Sequence, residues 1–278
     1  MSRPSEFDVP EASPFHRMKR RGDRIAVVTA YDAPTAALEA EAGADIILVG
    51  DSVGVNILGY AHECEVTLDD IAHHLAAVRR GAPDIYIIAD LPWATYDSPA
   101  QAIESARRLR EAGADCVKFE GARPEIAAAL TQAGYDLCGH LGLESQHQPV
   151  KRRQGRDAVA AAKIYDDARA LDAAGAKFLV LELVPQELAG RIARDVGAVT
   201  IGIGSGPQTD GQVLVVNDLA GMTRRDFKHN RRYGTVGAAV RDAVAAYVQD
   251  VRAGAFPGPE HAFQMPPEEL AAFKRMRP

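Results

Sequence analysis

Three stretches share one pattern: LEAEAGADIILVGD (38–51), LREAGADCVKFEG (109–121) and LDAAGAKFLVLEL (171–183). Each begins as the last turns of an amphipathic helix, breaks at Gly43, Gly113 or Gly175, and resumes as an apolar run. Glycine at that point fits the left-handed conformation that ends a helix. The run of about five residues has the length of a buried strand. Weaker copies stand at QAGYDLCGH (132–140) and DVGAVTIGIG (195–204). Helix, glycine, short turn and wholly apolar strand are expected of a parallel sheet covered on both faces. Strands are accordingly expected at 25–29, 45–49, 85–89, 116–119, 137–139, 178–181, 199–203 and 213–216. Their even spacing, and the lack of a G-x-G-x-x-G opening a helix after the first strand, favour an α/β (β/α)8 TIM barrel over a doubly wound sheet.

Between the strands, Thr67 before Leu68-Asp69-Asp70 predicts a capped helix to Arg80, closed by Gly81 and Pro83. Ser98-Pro99 opens another, running to Ala112, and 236–253 reads as a late amphipathic helix. The expected organisation is an N-terminal extension (1–23), a catalytic barrel (24–255) and a proline-containing tail (256–278) lying over the surface or a neighbouring subunit.

The 278 residues carry 32 Lys+Arg against 38 Asp+Glu, a net charge of −6, which argues against a nucleic-acid footprint. The basic stretches 17–24, 151–156 and 224–232 are short and read as solvated faces. No apolar run is long enough to span a bilayer, and the polar start does not read as a secretory signal. Cys64, Cys116 and Cys138 form no CxxC pair, so neither a disulfide framework nor a zinc site is expected, and the cytoplasm is the natural location. Cys116 and Cys138 read as packing residues inside strands.

A barrel places its chemistry at the C-terminal ends of its strands. There the sequence sets Asp51 and Ser52, Asp90, Lys118 and Glu120, His140, and Glu182. Four acids on one rim repel one another unless a positive charge sits among them. Mg²⁺ suits oxygen donors and takes few direct carboxylates. Asp51 and Asp90 suit direct ligation, and Glu120 ligation direct or through water. Singly, each has a plainer reading: Asp51 capping a turn, Asp90 held by loop amides, Lys118 and Glu120 as an internal ion pair, His140 as a satisfied core histidine. GIGSG (202–206) reads either as a phosphate cradle or as a tight turn, and Trp93 as a pocket, core or interface residue.

Taken together, TAYD (29–32), LVGDSVG (48–54), VRRGAP (78–83), ADLPW (89–93), VKFEG (117–121), CGHLGL (138–143), LVLELVP (179–185), GIGSG with TDGQVLV (202–215) and FPGPEHAF (256–263) resemble the ketopantoate hydroxymethyltransferase family of the phosphoenolpyruvate mutase/isocitrate lyase-like barrels. The resemblance implies Mg²⁺ at Asp51, Asp90 and Glu120. It further implies 2-oxo acid contacts from Asp51, Ser52, Asp90 and Lys118, with Glu182 as proton acceptor. His140, on the same rim, is counted with the substrate-binding set. The implied reaction moves a hydroxymethyl group from 5,10-methylenetetrahydrofolate to 3-methyl-2-oxobutanoate through a metal-stabilised enolate, giving 2-dehydropantoate for pantothenate synthesis. A homo-oligomer, commonly a decamer, is also implied. The chain departs from the family in a shortened 140–156 stretch lacking Phe-Gly-Gly, in HECEVT (62–67), and in Asn217-Asp218 where His-Asp is common. These departures keep open a Mg²⁺-dependent lyase or aldolase-like reaction on another 2-oxo acid without folate. A non-catalytic barrel would be expected to lack the base or an acid, and none is missing.

Overall fold

The computed structural model describes residues 13–146, 153–223 and 227–277. The basic stretches 151–156 and 224–232, and the 140–156 loop, therefore lie partly outside the described residues, as does the start of the N-terminal extension.

Eight parallel strands close into a barrel in chain order: β1 (Ile25–Thr29), β2 (Ile46–Val49), β3 (Tyr86–Asp90), β4 (Cys116–Glu120), β5 (Asp136–Gly142), β6 (Phe178–Glu182), β7 (Val199–Ile203) and β8 (Gly211–Leu214). Helix α1 (Pro14–Arg21) precedes β1. Helices α2 (Ala33–Glu41), α3 (Leu68–Gly81), α4 (Pro99–Ala112), α5 (Pro124–Gln132), α6 (Ala158–Ala173) and α7 (Gln186–Asp195) follow β1 to β6 in turn. After β8 come α8 (Val216–Leu219), α9 (Val236–Ala253) and α10 (Pro267–Met276).

Local chemistry explains the boundaries. Asp32, Thr67, Ser98 and Asp157 each accept a hydrogen bond from a backbone N–H of the first helical turn. Thr67 and Asp70 make the reciprocal capping box. Gly43, Gly113 and Gly175 all have positive φ, as the repeat requires. The last strand begins earlier than expected, at Gly211 rather than Val213, and Val216 turns into α8. Gly211 reads as part of a turn, yet it is needed in the strand because β1 runs against it. A Cβ there would lie 2.5 Å from the Ile25 carbonyl oxygen. The tail contains α10, which its prolines conceal in the sequence.

Two apolar layers result. Inside the barrel, Ile25, Val27, Ile46, Leu48, Ile88, Cys116, Cys138, Phe178, Val180, Val199, Ile201 and Val213 form one core, floored by Phe15 of α1. Between strands and helices, Ile47, Val49, Ile87, Ala89, Val117, Phe119, Leu137, Leu179 and Leu181 belong to a second. Side chains alternate between the layers with period two. Cys116, Lys118 and Glu120 therefore share the interior face of β4, and the two charged ones stand at its upper end.

Candidate active site

Register brings the charged ends to one level. Asp90 of β3 pairs with Lys118 of β4, and Glu120 of β4 with His140 of β5. Glu182 of β6 stands opposite Gly142, one pleat above His140. Asp51 and Ser52 follow β2 directly. All seven expected residues line one cavity of about 1420 Å³.

Lys118 Nζ donates to Asp90 Oδ1 at 2.6 Å, so the lysine's partner is Asp90 rather than Glu120. Asp90 Oδ2 accepts the Asp51 backbone N–H at 3.1 Å. Asp90 is thus tied to a loop amide as well as to a cation. Asp51 does not cap the next turn with its side chain: its Oδ2 accepts from Gln146 Nε2 at 2.7 Å. Ser52 Oγ shares a 2.7 Å hydrogen bond with the Tyr31 hydroxyl. Glu120 is 1% exposed, and its two oxygens accept from Ser145 Oγ (3.1 Å) and the Gln146 N–H (2.9 Å). His140 is not a satisfied core histidine. Its Nδ1 lies 3.4 Å from Glu120 Oε1 and its Nε2 3.3 Å from Glu182 Oε2, and neither contact has the angles of a hydrogen bond.

Crowding of buried carboxylates shows in their protonation. Burial, then the neighbouring Asp90, push the Asp51 carboxyl up to about 7. Burial and Asp51 hold Glu120 well above the usual carboxylate range. For Lys118, burial opposes the charge, but Asp90, Asp51 and Glu120 outweigh it and raise its pKa. Burial keeps His140 low, and so neutral, against the pull of Glu182. Anionic oxygen donors in excess of their single lysine suit a hard divalent cation. Among the described residues no three His, Cys, Asp or Glu side chains form a ready-made metal cage.

Several contributors escape sequence reasoning. Gln146 binds Asp51 through its amide and Glu120 through its backbone, and it accepts from the Tyr96 hydroxyl at 2.6 Å. Glu63 of the divergent HECEVT stretch is buried and lines the same cavity. Only their position after strands, in the loops of the active rim, could have marked them. The glycines of GIGSG serve close packing. Gly204 has φ +66°, and a Cβ there would lie 2.6 Å from Leu183 Cδ2. Ser205 Oγ is engaged by Leu181 O and the Val184 N–H. Trp93 is 44% exposed and so is no core residue.

Residues 11–259 match the family described as ketopantoate hydroxymethyltransferase. The 3-methyl-2-oxobutanoate hydroxymethyltransferase of Geobacillus kaustophilus is 46% identical over 266 residues, 93% of this chain and 95% of that protein. That of Methylococcus capsulatus is 48% identical over 252 residues, covering 88% and 94%. Among solved structures, phosphonopyruvate hydrolase matches with a TM-score of 0.60 at 14% identity, covering 94% of this chain and 95% of that one. The 2,3-dimethylmalate lyase, a PEP mutase/isocitrate lyase superfamily member, matches with 0.59 at 16%, covering 97% and 94%. At such identities the structural likeness establishes the barrel fold.

Proposed function

The chain belongs to the ketopantoate hydroxymethyltransferase family, and from that premise we propose that it makes 2-dehydropantoate from 3-methyl-2-oxobutanoate, 5,10-methylenetetrahydrofolate and water, releasing tetrahydrofolate. The observation that carries this reading is the convergence of Asp51, Asp90, Lys118, Glu120, His140 and Glu182 on the upper end of a single cavity.

Asp51, Asp90 and Glu120 would hold Mg²⁺, which when bound supplies Lewis-acid polarisation of the keto acid. The Lys118 ammonium, fixed by Asp90, faces the oxygen on which negative charge develops as the C3 proton leaves. Glu182, at the end of β6 and less buried than Glu120, accepts that proton. His140 stands between Glu182 and Glu120 and holds the base apart from the acidic cluster. Ser52, braced by Tyr31, helps to orient the substrate carboxylate. Water adds to the donor's methylene carbon, whose two C–N bonds break with a proton passing to each released nitrogen; the C3 carbanion bonds to that carbon, and the proton taken from C3 returns to the product alkoxide. The assay that tests this supplies keto acid, Mg²⁺ and methylenetetrahydrofolate, then omits each in turn. Product should require all three. Cleavage or addition without folate would instead indicate the lyase-like reaction.

A homo-oligomer also fits. On β2 to β6 the outward side chains lie beneath helices, but on β8 and β1 Ala26 and Gln212 are exposed and Val28 and Leu214 half-buried. Meanwhile Val236, Val240, Val244, Tyr247 and Val251 form one apolar face of α9, and all are exposed. A second copy's α9 laid on this bare seam, with the reciprocal exchange, covers both surfaces at once. No helix among the described residues is long and apolar enough to cross a membrane.

A further inference from the structure

The cavity does not end at the carboxylates: Gly204, Phe227, Lys228 and His229 line it beyond them, and Ala26, Gln212 and Leu214 carry it onto the outer seam of β8 and β1. Its two sides also differ in charge. The β2 to β6 side presents Asp51, Asp90, Glu120, Glu182 and Glu63, relieved by Lys118. The side beyond β7 and β8 presents Phe227, Lys228, His229 and Asp218, while Arg153 lines the cavity from the loop between β5 and α6.

That second side is built rather than loose. The Phe227 and His229 rings stack with centroids 5.5 Å apart and planes 19° from parallel. His229 rests on the bare backbone of Gly204, where a Cβ would lie 3.1 Å from both its Cβ and its Cγ. The Asn230 N–H returns to Phe227 O at 3.0 Å, closing a turn that presents both rings. Asp218 ties this segment to α8, accepting from Asn230 Nδ2 (2.8 Å) and Thr223 Oγ1 (2.6 Å). Tyr233 N–H reaches Leu219 O at 2.8 Å. Lys228 forms no ion pair among the described residues.

We propose that the Phe227–His229 stack with Lys228 is the subsite for the one-carbon donor, a flat reduced-pterin head carrying a carboxylate-bearing tail. A stacked aromatic pair offers the face of its outer ring to a planar heterocycle. Lys228 beside the stack offers a cation to a carboxylate-bearing tail that the acidic side would repel. Such a placement sets the donor's head between the stack and Glu182, so its methylene group can approach the keto acid from the β7 and β8 side. The inference rests on the folate-dependent reading above.

The test separates the two half-reactions. C3 proton exchange of 3-methyl-2-oxobutanoate in D₂O with Mg²⁺ needs no donor, whereas product formation does. Phe227→Ala and Lys228→Ala should each raise KM for methylenetetrahydrofolate by about tenfold or more and leave donor-free exchange within about twofold. Lys228→Ala should also remove any preference of the native enzyme for a polyglutamyl over a monoglutamyl tail. Direct titration with tetrahydrofolate should show the same loss of affinity without turnover. Unchanged donor KM and tetrahydrofolate affinity in both variants would overturn the subsite, as would a parallel fall in exchange. If the native protein shows no exchange but binds tetrahydrofolate, and both variants lose that binding, the reaction proposed above fails while the subsite stands.

Discussion

Gln146 shows how one neutral side chain can organise several charged ones. Its amide N–H groups serve Asp51 and Leu91 O, its carbonyl takes the Tyr96 hydroxyl, and its backbone N–H holds Glu120. Every donor it turns inward is used, so truncation strands buried partners. Loss of a group supporting metal ligands typically costs roughly 10–100-fold in metal affinity or activity. Gln146→Ala should weaken Mn²⁺ binding, read by electron paramagnetic resonance as a stand-in for Mg²⁺, by about that factor. Unaltered binding would show that Asp51 and Glu120 need no such brace. Glu39 of α2 presents the opposite case: both its carboxylate oxygens are buried without a hydrogen-bond partner. Burial, assisted by Asp32, raises its pKa to about 8 from 4.5. The folded protein therefore retains a proton that the unfolded chain releases above pH 4.5. The resulting penalty grows as pH rises and is complete above about 8. Glu39→Gln should stabilise the protein by about 1–3 kcal/mol at pH 8.5 and by little at pH 5, measured by urea denaturation. An equal effect at both pH values would place the cost outside this ionisation.

At the scale of elements, the sequence is most informative where one residue type has one local task. Gly43, Gly113 and Gly175 end helices, while Thr67 and Ser98 begin them, and the structure agrees at each. Strand parity is equally readable, which is why Lys118, Glu120 and Glu182 could be placed on one rim from spacing alone. Reading fails where a residue's task is set by a distant partner. Gly211 belongs to β8 because Ile25 of β1 crowds it. Gln146 sits in a loop whose significance comes from Asp51, 95 residues earlier. The aromatic turn at 227–230 has no periodicity, and only the fold brings it beside the cavity. Helix α9 is legible as amphipathic, but its sequence does not say that its apolar face is left bare by its own barrel. Val240→Asp combined with Val244→Asp should shift the protein to monomers in sedimentation velocity at micromolar concentration, with far-ultraviolet circular dichroism preserved. An unchanged sedimentation coefficient would mean that α9 does not join subunits.

Across the whole molecule, a closed barrel solves a problem of charge placement. The packed interior below, floored by Phe15, keeps water from the base of the site. Neighbouring strands deliver acids and one lysine to a common level with little freedom to move apart. The central claim is that Glu182, held in that setting, removes the proton from C3 of a bound 2-oxo acid. Nuclear magnetic resonance of 3-methyl-2-oxobutanoate in D₂O, with Mg²⁺ and no folate, measures that step alone. The native enzyme should exchange the C3 proton, and Glu182→Gln should bind the acid while slowing exchange by about 10²–10⁴-fold. Exchange at the native rate in Glu182→Gln would contradict the account.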